Sequence, residues 1–182
     1  MKQIAIAGLG VVGGGVADLL VNHAAVIEKN AGEEVRLKAV FTRTKKPDSP
    51  FASYFVSDFS EIEKNPEIDL VVETIGGCSV ALDVVTRALK AGKHVVTANK
   101  QLVAEHGLEL FALAKANGVN FLFEASVAGG IPVLNPLTRC LGANEITEVS
   151  GILNGTTNYI LTQMLENGES YADALSNAQR LG

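Results

Sequence analysis

Cysteine occurs only twice, at Cys78 and Cys140, which excludes a disulfide framework and a cysteine-based zinc centre. Histidine is nearly as scarce. His23, His94 and His106 have no ligand-like spacing, and none neighbours an Asp, Ser or Cys in a recognisable catalytic motif. No transition metal is therefore expected, and each histidine reads as a surface or packed polar residue rather than a catalytic one. The chain has no extended lysine or arginine run and carries a net charge of −5, so neither nucleic acid nor an anionic membrane surface is an expected partner. No apolar stretch approaches the ~18 residues of a membrane span without polar interruption. The start also lacks a basic segment followed by a cleavage site, and a cytoplasmic location is expected. Internal repeats and low-complexity tracts are absent too.

What remains is an ordinary globular composition, 182 residues that are 47% hydrophobic and 19% charged, enough for one full core and part of a second. Its most informative segment comes first. Ile4, Ala5, Ile6 and Ala7 form the short apolar run of a central parallel strand, and residues 16–21 supply the apolar face of a following helix. Between them lies Gly8-Leu9-Gly10-Val11-Val12-Gly13. Gly8 permits the tight turn, Gly10 lets the backbone approach a pyrophosphate, and Gly13 lets the helix pack closely on the strand. The helix N-terminus offers free N–H groups and the positive end of its dipole to the anion. A purely structural glycine turn is the alternative reading.

Strand and helix patterns then alternate: strand 2–7, helix 13–28, strand 35–42, loop 45–51, an irregular stretch 55–63, strand 69–74, helix 80–91, strand 94–97, helix 102–117 and strand 120–124. Such alternation predicts a doubly wound parallel sheet of the Rossmann type over residues 1–131. The character changes after Gly129-Gly130-Ile131-Pro132, where a hinge is expected. Pro132 can open a helix reaching about Leu141; residues 145–153 alternate like a half-exposed strand; 156–167 and 171–181 read as helices. A lone strand with three helices cannot bury both faces, so residues 132–182 read as an incomplete second, α+β domain.

Three strand ends place polar residues where open α/β sheets bind ligands: Glu73-Thr74-Ile75-Gly76-Gly77, Thr97-Ala98-Asn99-Lys100 and Glu124-Ala125-Ser126. Lys100 is the candidate catalytic cation. A lysine opening a helix works against the dipole, and an ammonium can polarise or protonate a substrate oxygen during hydride transfer. The end of the second strand carries no acidic side chain for an adenosine ribose. Arg43, backed by Lys45 and Lys46, offers donors to a 2′-phosphate instead, favouring NADP over NAD. Thr156 or Thr157 can cap a helix or face a polar substrate, and the sequence leaves both open. An aldehyde dehydrogenase using Cys140 or Cys78 as nucleophile would need a base beside the cysteine; Cys140 lies on a predicted helix with no histidine near it and reads as a packed thiol.

GLGVVGGGV, ETIGG, TANK, FEASVAGGIP, GILNGTTNYILTQM and the closing AQRLG follow in order. Together they resemble homoserine dehydrogenase along the whole chain, FEASVAGGIP and GILNGTTNYI most specifically. The resemblance implies NAD(P)-dependent interconversion of L-homoserine and L-aspartate 4-semialdehyde, in a dimer in the full-length enzyme. It implies cofactor contacts at Gly8, Gly10, Val11, Val12, Gly13, Arg43, Gly76 and Lys100, with Gly182 beside the nicotinamide and Thr156 in the substrate-facing turn. It further implies a monovalent cation, typically sodium, held by the Glu124 carboxylate and the carbonyls of Val127, Gly129 and Ile131. Family members continue past Gly182 into an amino-acid-binding segment and a second lysine that serves as principal proton donor. The chain is therefore expected to bind NADP yet turn over little alone. A non-catalytic NADP-binding module is the alternative.

Overall fold

Alternate residues of the first strand face different helices, and that alternation builds the core. In the computed structural model, which describes all residues except Lys45, Lys46, Leu153 and Gly182, Ile6 packs with Ala17, Leu20, Leu37 and Val40 on one face of a sheet. Ala5 and Ala7 pack on the other face with Val84, Val85, Leu89, Leu102 and Leu110. Each large aliphatic side chain so buried contributes about 1.5–3 kcal/mol. The elements are β1 (Lys2–Ala7), α1 (Val11–Asn22), α2 (Ala24–Ala31), β2 (Val35–Phe41), β3 (Phe55–Val56), α3 (Ser60–Glu63), β4 (Leu70–Glu73), α4 (Ser79–Lys90), β5 (His94–Thr97), α5 (Lys100–Ala116), β6 (Phe121–Leu122), α6 (Gly155–Glu166) and α7 (Tyr171–Leu181).

The six strands are parallel, in the order β3-β2-β1-β4-β5-β6. This is the doubly wound Rossmann order, with the chain reversing its direction of travel between β1 and β4. β1 ends where Gly8 N–H donates to the Phe41 carbonyl at 2.8 Å and Thr74 N–H donates to the Ala7 carbonyl at 2.8 Å. The crevice thus opens at the carboxyl ends of β1, β2 and β4. The chain divides into two compact units, Met1–Val127 and Ala128–Gly182.

Several local expectations differ. The helix expected over 13–28 is two helices bent by 83°. His23 donates its N–H to Leu19 to end α1, while its carbonyl accepts the Val26 and Ile27 N–H groups to begin α2. The last strand is only Phe121–Leu122, because Glu124 already opens a 3₁₀ turn, Glu124–Ser126. Pro132 lies ahead of the next helical segment, which begins at Leu134 and widens into a π-helical turn, Pro136–Cys140. Pro136 has no N–H to place in an α-helical ladder, and Leu141 donates to its carbonyl across five residues at 3.0 Å. Residues 145–152 form no strand and are exposed, since an edge pattern needs a neighbouring strand and the described residues of this unit supply none.

Within the second unit, Asn154 rather than Thr156 or Thr157 caps α6, its Oδ1 accepting the Thr157 N–H at 2.8 Å. Ser170 begins α7 by accepting the Asp173 N–H at 3.2 Å and donating its hydroxyl to Asp173 at 2.6 Å. Ala174 and Ala178 are buried, whereas Ile152, Leu161 and Leu165 are exposed. Cys140 is exposed as well, not packed, at the end of a π-helical turn that buries none of its residues. Among the described residues no single helix is long and apolar enough to cross a membrane.

Candidate functional site

The glycine turn between β1 and α1 uses its three fingerprint positions for three purposes. Gly8 has φ +102°, and a Cβ there would meet the Thr74 carbonyl at 2.7 Å. A Cβ on Gly13 would overlap the Gly8 carbonyl oxygen and approach Thr74 Oγ1 to 2.6 Å. Around Gly10, by contrast, a Cβ would meet no atom within 4 Å, so its smallness serves nothing inside the protein. That space is open to a ligand. Gly10 stands at the N-cap of α1, which has no side-chain cap and no acidic residue in its first turn, leaving its first N–H groups for an anion.

A cleft of about 380 Å³ follows, lined by Gly8 and Gly10 from the turn, Phe41, Thr42 and Arg43 from the end of β2, and Thr74, Ile75 and Gly76 from the end of β4. Arg43 is exposed, with no ion-pair partner among the described residues. A second cleft of about 330 Å³ shares Thr74, Ile75 and Gly76 and adds Val12, Asn99 and Lys100. The two run together over the sheet edge, each within the usual volume of small-ligand sites. Lys100 is the first residue of α5, exposed and without an ion-pair partner among the described residues.

A family model described as the NAD-binding domain of homoserine dehydrogenase matches residues 8–124, and one described as homoserine dehydrogenase matches residues 132–182. The chain belongs to the homoserine dehydrogenase family. It is 45% identical to homoserine dehydrogenase of Pseudomonas aeruginosa over 181 residues, covering 99% of this chain and 42% of that protein. The crystal structure of a homoserine dehydrogenase from Thiobacillus denitrificans superposes with a TM-score of 0.91 at 44% identity, covering 100% of this chain and 42% of that one. A hyperthermophilic archaeal homoserine dehydrogenase solved in complex with NADPH superposes at 0.83 with 26% identity, covering 100% and 62%. The chain thus spans about two fifths of the length of the curated relatives it matches. It carries the family's nicotinamide dinucleotide domain, and the open Gly10 and uncapped α1 fit that group.

Of the expected cofactor residues, Gly8, Gly10, Arg43 and Gly76 line the first cleft, and Val12, Gly76 and Lys100 the second. Val11 is exposed at the start of α1, and Gly13 is buried beneath it. Thr156 lies exposed in the first turn of α6, in the second unit; Gly182 lies outside the described residues. Of the expected cation ligands, Glu124 and Val127 belong to the first unit and are half-buried, while Gly129, with φ +62°, and Ile131 belong to the second and are exposed. Among the described residues no three His, Cys, Asp or Glu side chains converge as a metal cluster.

Thr74, Thr97 and Asn99 are polar strand ends in the sequence, and their roles emerge only in the fold. Thr74 donates its hydroxyl to the Gly8 carbonyl at 2.7 Å, pinning the glycine turn from the neighbouring strand. Glu73 is fully buried, and burial pushes its carboxyl above the usual range against the opposing hydrogen bonds from Thr97 and Ile75. Burial, and then Glu105, likewise push the Cys78 thiol up, which makes it a poor nucleophile.

Proposed function

We propose that this chain forms the cofactor domain and the start of the substrate and dimerisation domain of a homoserine dehydrogenase. The reaction is NAD(P)-dependent interconversion of L-homoserine and L-aspartate 4-semialdehyde, in the biosynthesis of threonine and methionine. Residues 1–131 are read as the dinucleotide domain and 132–182 as the beginning of the substrate domain. The observation that carries the reading is the pair of joined clefts at the switch point, with open Gly10 in one and Lys100 in the other. When bound, the cofactor supplies or accepts the hydride.

The chain's own residues supply binding and electrostatics. N–H groups of Val11, Val12 and Gly13 meet the pyrophosphate, and Arg43 meets a 2′-phosphate, so NADP is preferred and NAD accepted. Lys100 directs its ammonium at the substrate oxygen, stabilising or protonating it as charge develops. The family resemblance assigns Thr156 to substrate binding and Gly182, which lies outside the described residues, to the nicotinamide. The same resemblance suggests sodium at Glu124, Val127, Gly129 and Ile131; one carboxylate and three carbonyls make a hard oxygen set suited to a weakly charged ion. The family resemblance also suggests a homodimer; the exposed Ile152, Leu161 and Leu165 lie in the part of the substrate domain that this chain only begins. Two unpaired thiols suit a reducing cytoplasm.

The test is homoserine oxidation, followed as NADPH formation, in a protein carrying this chain together with the rest of a family catalytic domain. Turnover that Lys100→Ala lowers by about 10²-fold or more is expected, the usual share of general acid–base assistance. No homoserine-dependent turnover would refute the activity.

A further inference from the structure

The polar ends of β4 and β5 close a circuit of hydrogen bonds that the cofactor reading does not require. One oxygen of buried Glu73 accepts the Ile75 N–H at 2.6 Å, and the other accepts the Thr97 hydroxyl at 2.5 Å. Thr97 Oγ1 accepts the Asn99 N–H at 3.0 Å. Asn99 Nδ2 then donates to the carbonyls of Ile75 at 3.0 Å and Gly77 at 2.7 Å, returning the circuit to the turn after β4. Its Oδ1 accepts the Leu102 N–H at 3.1 Å and so caps α5. Both polar atoms of this one side chain are committed, to two different elements.

We propose that Asn99, oriented by Thr97 and Glu73, is a positioning residue that ties the turn 75–77 to the start of α5 and thereby fixes Gly76 relative to Lys100 across the second cleft. Capping alone does not call for asparagine. Aspartate and serine cap a helix about as well, but only an amide adds two donors beside its accepting oxygen. The turn needs those donors. Gly77 has φ +77° and is exposed, with no side chain of its own to hold its carbonyl. Glu73 and Thr97 are both fully buried, so the anchor at the other end of the circuit is rigid. A ligand reaching from Gly76 to Lys100 then meets a preformed spacing and avoids the cost of ordering the turn on binding.

The proposal rests on the reading that these clefts hold the nicotinamide cofactor, and two measurements keep the two ideas apart. Asn99→Ser retains a neutral cap for α5 and removes both donors to the turn; Thr97→Val is a second variant of similar shape that cuts the circuit elsewhere. The first measurement is the backbone order parameter of Gly76 and Gly77 without cofactor. It should fall in Asn99→Ser from the rigid range near ~0.85 toward the flexible range below ~0.6, while the thermal midpoint moves little. The second is NADPH titration, in which the dissociation constant should rise about tenfold in Asn99→Ser and in the same direction in Thr97→Val. Unchanged order parameters in a folded Asn99→Ser chain would overturn the tether. A looser turn with NADPH affinity within about twofold of the parent would overturn its positioning role. If the parent chain itself fails to bind NADPH, the cofactor reading falls, and the order parameters alone decide the tether.

Discussion

Gly8, Gly10 and Gly13 sit in one turn, yet a methyl group at each would do something different. At Gly8 it would strain a left-handed backbone, at Gly13 it would strike the Gly8 carbonyl, and at Gly10 it would enter open space. The first two positions hold the fold, and the third holds room for a ligand. Arg43 makes a similar distinction possible between cofactors. Its exposed guanidinium has no ion-pair partner among the described residues, so if it meets a 2′-phosphate as proposed, Arg43→Ala removes an interaction that NADH does not make. NADPH affinity should fall about tenfold, the scale of one charge-assisted pair, with NADH affinity nearly unchanged. Equal losses for both, measured by titrating each cofactor, would remove Arg43 as the discriminator.

The strand ends of β4 and β5 carry the next level of order, because they join the glycine turn, the turn 75–77 and α5 into one edge. Buried Glu73 makes that edge sensitive to pH. Burial favours the uncharged acid, so Glu73 titrates above the ordinary glutamate range when folded and within it when unfolded. The groups acting on it are neutral donors, and Cys78 is a titratable neighbour. The folded state thus holds the extra proton: the linked stability is complete below the unfolded value and is lost as pH rises through the raised folded value. Urea midpoints of the parent chain minus those of Glu73→Gln should therefore decline across that window and level off above it. A difference flat with pH would contradict the assignment.

Elements with buried apolar runs, β1, β4 and β5, were legible from sequence, as was α7 over 171–181. The break at His23 was not, because its bend is made by backbone hydrogen bonds without glycine or proline. Residues 145–152 look like a strand locally, but pairing is non-local and their pattern could not supply a neighbour. Glu73, Thr97 and Asn99 were visible only as polar strand ends, since the bonds joining the two strand ends cross 24 residues of chain and depend on β4 pairing with β5. Thr156 was a plausible cap by composition, yet Asn154 precedes it with a better acceptor at the required spacing.

At the scale of the whole molecule, one unit holds a doubly wound sheet with joined clefts at its switch point, and the other holds helices that leave Ile152, Leu161 and Leu165 in solvent. Both units match the homoserine dehydrogenase family, in order. The central claim is that the first unit binds a nicotinamide dinucleotide across its glycine turn with the residues this chain contains. The direct measurement is fluorescence titration of NADPH into the 182-residue chain and its Gly10→Val variant, the latter chosen because a Cβ at that position meets nothing in the protein. Saturable binding by the parent, and loss of most of it in a variant that melts at nearly the same temperature, is the predicted result. Absence of saturable binding by the parent, or full affinity retained by folded Gly10→Val, would contradict it.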